Sequence, residues 1–538
     1  MNKNKPSSKN TNEILINIIE KALEKKITSS KELEKLKRKF AKKNRTPLAK
    51  NINLIKVYHN LLDKKRIEKN KKLERVLQVN KVRSWSGVAV VAVVTKPYPC
   101  PGECVYCPQQ NNAPKSYLTN EPAIMRAVSN NYDPYKQTKS RLKSLKATGH
   151  PVDKIELIIL GGTWSYLPEE YQRNFIKRCF DAANEEESDS LEEAQKKNET
   201  SNRRIIGLTL ETRPDYINKK EIKKMRHYGA TRVEIGVQNT DNEILKLVKR
   251  GHKVEDSVKA TYLLKEAGFK ISYHLMPNLP GATPKTDRQM FKEVFSDERF
   301  KPDLLKIYPT AIVEGAPLYQ WWEKDQYKPY SEKEMIELLK DAKSNVPIYC
   351  RIQRTIRDIP SKEIVTGPAK ISNLREVILK QMKEEGRPCQ CIRCREIKDK
   401  YDPLENLKLY RLNYKASKGE EIFLTFENKK RNKLYALLRL RIPAHYFNKE
   451  KHFIETLKGS AIIRQVHTYG FQLSIDEKRE QATQHHGLGK KLIKKAEEII
   501  KKEYPDIKKM AVISGIGVRE YYRHLGYKQE GTYMIKRF

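Results

Sequence analysis

The chain has 538 residues, 38% of them hydrophobic and 33% charged, with 108 Lys and Arg against 67 Asp and Glu and a formal net charge of +41. That length allows roughly three domains of about 150 residues, and a mean hydropathy of -0.75 with a polar N-terminus gives no sign of a secretory signal. So large a positive excess exceeds what solubility needs and points to a polyanionic partner, nucleic acid.

Residues 1–80 are Lys-rich and helix-prone, with Ile14, Leu15, Ile18, Ile19 and Leu23 at helical spacing. A basic amphipathic region of this kind is a nucleic-acid arm or a solvated helical face, and the net charge favours the arm. Between 81 and 345, apolar runs alternate with helical stretches: Val88–Val94, Ile155–Leu160, Ile205–Leu210, Arg232–Val237, Ile271–Leu275 and Leu304–Tyr308. This βα rhythm predicts an α/β domain, a partial (β/α)6 barrel open on one side for a large substrate. The polar stretch Asn184–Asn202 reads as a surface insertion. A middle segment, 346–407, carries Arg351-Ile-Gln-Arg354, Arg357-Asp-Ile-Pro360 and a cluster of cysteines. From 408 to 538 the predicted strands are Glu421–Phe426, Leu434–Ile442 and Ala461–Tyr469. A glycine-rich turn, a basic helix, and a final strand and helix follow, giving a separate α+β domain.

The apolar run Gly87–Val94 is too short to span a bilayer and reads as a buried parallel strand. Cys100, Cys104 and Cys107 follow it directly, at the strand end where α/β barrels carry their chemistry. Three thiolates hold three irons of a [4Fe–4S] cluster and leave the fourth open to chelate S-adenosylmethionine (SAM). A zinc site would need a fourth ligand, and no nearby Cys or His supplies one. The C-x3-C-x2-C spacing, with Tyr106 before the last cysteine, resembles the signature of the radical SAM superfamily. By that resemblance Gly161, Gly162 and Thr163 bind the amino group of SAM. Glu211, Gln238 and Lys306 also lie at predicted strand ends. The first two are placed with the SAM-binding groups and Lys306 with the catalytic residues, the alternative being rim hydrogen bonds.

The C-terminal run Gln484, His485, His486, Gly487, Leu488, Gly489, Lys490 resembles the pyrophosphate loop of GNAT acetyltransferases, in which N–H groups opening a helix cradle the coenzyme A diphosphate. Tyr521 and Tyr522 are both candidates for protonating the leaving sulfur, and one of the two is expected only to pack. Cys389, Cys391 and Cys394 offer three soft ligands within six positions, a density that suits structural zinc. The fourth ligand stays open between Cys350 and a histidine. Six of the eight cysteines thus sit in two tight clusters, as metal ligation in a reducing cytoplasm would have them.

Taken together, these residues resemble the catalytic subunit of Elongator in its stand-alone archaeal form. The resemblance extends from Arg83 to Phe538 through Tyr117-Leu-Thr-Asn-Glu-Pro-Ala, Asp133-Pro-Tyr, Glu211-Thr-Arg-Pro-Asp215, Gly251-His, Met276-Pro-Asn-Leu-Pro-Gly281, Arg351-Ile-Gln-Arg354 and Tyr521-Tyr-Arg-His-Leu-Gly-Tyr527. It implies a cytoplasmic enzyme in which a radical SAM barrel is joined to a GNAT domain and acts on tRNA at wobble uridine 34. A 5′-deoxyadenosyl radical would activate the acetyl group of acetyl-CoA, leaving a carboxymethyl group on C5 of the flipped-out base. The implied partners are the tRNA anticodon stem-loop, acetyl-CoA and an electron donor, with no membrane; monomer and homodimer both stay open. The rival reading is a protein lysine acetyltransferase whose iron–sulfur half is structural.

Overall fold

In the computed structural model, the described residues are 8–78, 87–398, 402, 404–470 and 487–538. Four helices, α1 (Ser8–Glu24), α2 (Ser30–Asn44), α3 (Asn51–Asp63) and α4 (Lys71–Leu77), form an N-terminal unit. Ile14, Leu15, Ile18 and Ile19 turn inward onto Leu54, Ile55, Tyr58 and Leu77, so the apolar stripe is a core, and of the lysines on α2 only Lys37 is buried, bonded to Glu34 and Asn51.

Seven parallel strands follow: β1 (Ala89–Val94), β2 (Lys154–Leu160), β3 (Arg204–Thr212), β4 (Arg232–Gln238), β5 (Lys270–Leu275), β6 (Leu304–Ile307) and β7 (Arg351–Arg354). They pair in sequence order without closing from β7 to β1, which makes a half-barrel. Side chains alternate along each strand. Val91 and Val93 of β1 join the outer core with Leu142, Phe175 and Phe180 of the surrounding helices, while Val90 and Ala92 face the interior. The six expected strands are present, and β7 extends them by one. It hides in the sequence because Ile352 is its one apolar residue, while Arg351 and Gln353 line the polar interior.

A second correction concerns Asn184–Asn202, which is not a surface insertion. Ser190 caps the helix Leu191–Asn198 by accepting from the Glu193 N–H, and Leu191 and Ala194 are buried. Just beyond it Glu199 takes ion pairs from Arg519 and Arg523, so the polar stretch is a joint with the C-terminal half.

That half is a mixed sheet of β8 (Leu407–Ala416), β9 (Gly419–Asn428), β10 (Leu434–Ile442), β11 (Ser460–Thr468), β12 (Lys509–Val512), β13 (Lys528–Glu530) and β14 (Tyr533–Arg537), in the order β13-β14-β12-β11-β10-β9-β8. β11 and β12 run parallel, and their pairing stops at Ile463↔Val512. Beyond that point β11 continues to Thr468, while the chain after β12 passes into the short 3-10 turn Ile516–Val518.

The sheet packs under the N-terminal ends of the barrel strands. A Cβ at Gly515 would lie 2.1 Å from the Ile206 carbonyl oxygen, so only glycine allows this approach. Beside it is a fully buried set of charges: Lys265, Glu266 and Asp303 from the barrel, Glu421, Arg439, Arg441 and Arg464 from the sheet. Among the described residues, no helix is long and apolar enough to cross a membrane.

Candidate functional site

Prolines 97, 99, 101 and 108 stiffen the loop after β1, which brings Cys100, Cys104 and Cys107 to the C-terminal mouth of the half-barrel. All three thiols are free. They open onto one cavity of about 480 Å³ that runs through the barrel interior to the C-terminal sheet. A hydrogen bond with Cys107 and then the charge of Arg250 bring the Cys104 thiol down to about 4, so it is a thiolate at neutral pH. Arg250 Nη1 points at Cys104 Sγ from 3.5 Å, and Nη2 donates to the Gly236 carbonyl at 2.8 Å. Arg213 grips Asp215 through two nitrogens at 3.0 and 2.9 Å, while its buried Nη1 has no partner and faces Gly102.

The predicted SAM-binding residues converge on the same mouth. Gly161 (φ +136°) and Gly162 (φ +91°) adopt backbone conformations reserved for glycine, and a Cβ at Gly161 would meet Thr95 Oγ1 at 1.9 Å. Thr163 Oγ1 is 3.9 Å from Cys100 Sγ. Glu211 accepts a hydrogen bond from the Tyr117 hydroxyl at 2.8 Å and lies 3.3 Å from His274 Nδ1. The other ring nitrogen of His274 is 2.9 Å from Glu234, which also holds Lys306 in a buried ion pair. Gln238 ends β4 at φ +68°, with its buried Oε1 unpartnered. Strain in a non-glycine residue together with an orphaned acceptor marks a position built to meet a ligand.

The far end of the cavity is formed by Glu156, Arg232 and Lys270 of the barrel together with Gln465 and His467 of β11 and Tyr469 just past its end. Burial, then Arg351 and Lys270, lower the His467 imidazole to about 4, which keeps it neutral. Val466 and Thr468 point to the opposite face. There a Cβ at Gly489 would lie 3.7 and 3.8 Å from their methyl groups and 3.4 Å from the Tyr521 hydroxyl. β11 is therefore a wall one strand thick between the cysteine-loop cavity and the glycine loop.

Gly487 (φ +60°) opens the helix Leu488–Glu503 with no side-chain cap, leaving the first N–H groups for an anion. Leu488 is buried as an anchor, Gly489 lies against β11 and Lys490 is exposed. Gln484, His485 and His486 lie outside the described residues. The two tyrosines separate clearly. Tyr521 is 38% exposed beside Gly489, its hydroxyl pushed up to about 12 by burial, whereas Tyr522 is 6% exposed and packs edge-on against Tyr527.

The sulfurs of Cys389, Cys391 and Cys394 lie within 4.8 Å of one another. Cys350 is buried nearby but outside that group, and no histidine joins it among the described residues. Instead the trio faces cations: Lys343, whose buried Nζ has no partner, and Arg375, with Nη2 3.9 Å from Cys394 Sγ. Glu266, His445 and His452 are equally close together, but Arg441 and the Ala444 N–H occupy the carboxylate and the Ile454 N–H occupies His452 Nδ1. That second trio is a structural joint.

Sequence reasoning did not single out Arg250, Glu234, His274 or the inward face of β11. Their signal is register, which places them in one cavity only once the strands pair. Tyr117 and Arg213 stood inside recognised motifs with no role attached.

Residues 98–294 match the radical SAM superfamily, and residues 302–384 match the Radical_SAM C-terminal domain. A tRNA uridine(34) acetyltransferase of Methanocaldococcus infernus is 50% identical over 483 residues, covering 87% of this chain and 89% of that protein. Human Elongator complex protein 3 is 39% identical, with 86% of each chain covered. A solved structure of Methanocaldococcus infernus Elp3 with an N-terminal deletion superposes with a TM-score of 0.73 at 48% identity, covering 84% of this chain and 100% of that one.

Proposed function

The chain belongs to the family of tRNA uridine(34) acetyltransferases and Elongator complex protein 3, and we propose that it converts C5 of wobble uridine in tRNA to a carboxymethylated carbon, using SAM and acetyl-CoA. The observation that carries this reading is the continuity of one cavity from the three cysteines to β11, whose reverse face meets the glycine loop. When bound, the [4Fe–4S] cluster and SAM supply a 5′-deoxyadenosyl radical, and acetyl-CoA supplies the two carbons.

The residues fit those groups. Cys100, Cys104 and Cys107 would hold the cluster, with the orphaned Arg213 Nη1 as a free N–H donor beside the loop and the Arg250 guanidinium as counter-charge. Gly161, Gly162 and Thr163 would take the amino group of SAM, and Glu211 and Gln238, which line the same cavity, would offer it further acceptors. Lys306, held charged by Glu234, and neutral His467 orient the reacting base and acyl group without competing for protons. Gly487 to Lys490 cradle the diphosphate. Tyr521 keeps its proton at neutral pH and is placed to give it to the departing sulfur; Tyr522 supports it from below.

Arg351, Arg354, Arg357 and Arg393 line the cavity, the first three beside Glu396, Asp358 and Glu121. Guanidinium groups there suit the phosphates of a single-stranded loop, and the base must leave its stack to reach the cavity. Cys389, Cys391 and Cys394 suit a structural zinc, with Lys343 and Arg375 offsetting the third thiolate. A protein lysine acetyltransferase would have no use for a cysteine-loop cavity that ends one strand away from the acyl site, and that reading is not favoured. Cys104→Ala is the test: it should abolish formation of 5′-deoxyadenosine from SAM while tRNA binding stays within about twofold. A folded variant that still cleaves SAM would refute the assignment.

A further inference from the structure

A buried guanidinium without a carboxylate is costly unless another anion balances it. Arg250 is such a group. It is 7% exposed, and among the described residues its Nε has no partner and its only neutral acceptor is the Gly236 carbonyl. The ionisable groups that face it are the Cys104 and Cys107 thiols and the Tyr106 hydroxyl, with the like charge of Arg213 beyond His252. Arg213 is neutralised by Asp215. One positive charge is therefore left over, and it points at the ligand Cys104 from 3.5 Å.

A [4Fe–4S] core held by three thiolates carries a net charge of about −1, and about −2 after one-electron reduction. A fixed cation in a dry site favours the more negative state, and an N–H···S contact acts in the same direction. We propose that Arg250 sets the reduction potential of the cluster, raising it so that a weaker one-electron donor can load the site. This rests on the reading of the loop as a cluster loop. The electron passes from the external donor to the cluster, and no bond or proton changes hands at Arg250.

The test is a redox titration of the anaerobically reconstituted full-length chain without SAM, followed by electron paramagnetic resonance, with iron content measured first. At a given applied potential near the midpoint, R250M is expected to show a reduced-to-oxidised ratio at least tenfold below that of the unsubstituted protein, which is about 59 mV for one electron. R250K keeps the charge and should recover most of the difference. A cluster-loaded R250M with an unchanged midpoint overturns the inference, as does an R250K as displaced as R250M. If R250M holds no iron, R250K decides: iron retained with a near-normal midpoint supports the charge role, and iron lost equally overturns it. Absence of an iron–sulfur signal in the unsubstituted protein would overturn the cluster reading and this inference with it, which separates the two failures.

Discussion

Replacing Asp303 with asparagine removes the carboxylate at the centre of the joint between barrel and C-terminal sheet. Asp303 is fully buried, takes both Arg464 terminal nitrogens, lies 3.4 Å from Arg439 and accepts the Ile271 N–H at 2.9 Å. Three carboxylates, Glu266, Asp303 and Glu421, face four basic groups there, Lys265, Arg439, Arg441 and Arg464, one more than they can balance. Asparagine keeps the volume and the backbone contact but leaves Arg464 and Arg439 facing one carboxylate fewer. At 3.0 Å and an effective dielectric of about 20, one such pair is worth about 5 kcal/mol, and breaking a buried pair from one side typically costs about 3–5 kcal/mol. The expected loss for Asp303→Asn is therefore about 4 kcal/mol, read from urea denaturation followed by circular dichroism. Asp303→Asn combined with Arg464→Met should cost less than the two single changes summed, by about 1 kcal/mol or more. A single-variant loss under about 1 kcal/mol, or strict additivity, would refute the claim that these charges lock the two halves.

Two more outcomes follow from the same geometry. Burial works against the Glu266 charge, but Arg441, His445 and the Ala444 N–H together bring its carboxyl down to about 2 from 4.5. Because the folded value lies below the unfolded one, this stabilisation is full above about pH 4.5 and lost as pH falls towards 2, some ~3 kcal/mol in all. Denaturation between pH 6 and 3 should show it, and Glu266→Gln should flatten the slope; an equally steep slope in the variant would contradict it. Tyr521→Phe should lower tRNA-stimulated acetyl-CoA turnover by about a hundredfold with little change in stability. Tyr522→Phe should leave turnover within a few-fold, and thiol-release assays giving the reverse order would exchange the two roles.

The parts of the site legible in the sequence are those whose chemistry depends on short spacing. Cys100, Cys104 and Cys107, the glycines at 161–162 and the loop at 487–490 are each candidates because of neighbours a few positions away. What escaped depends on pairing between distant segments. β7 reads as charged because Arg351 and Gln353 face a polar cavity, and the helix Leu191–Asn198 has just two buried apolar side chains on its short length. Arg250 meets Cys104 across 146 positions, and no local pattern announces such a contact. Tyr521 and Tyr522 were inseparable in sequence because adjacent identical residues differ only in which way the helix turns them, one to 38% exposure and the other to 6%.

The most direct measurement is mass spectrometry of wobble uridine after anaerobic reaction of the cluster-loaded chain with tRNA, SAM, a one-electron reductant and acetyl-CoA labelled in its methyl group. The account requires the label in a carboxymethyl group on C5 of uridine 34, together with 5′-deoxyadenosine. Unmodified uridine with the cluster intact, or label recovered on protein lysines instead, would contradict it.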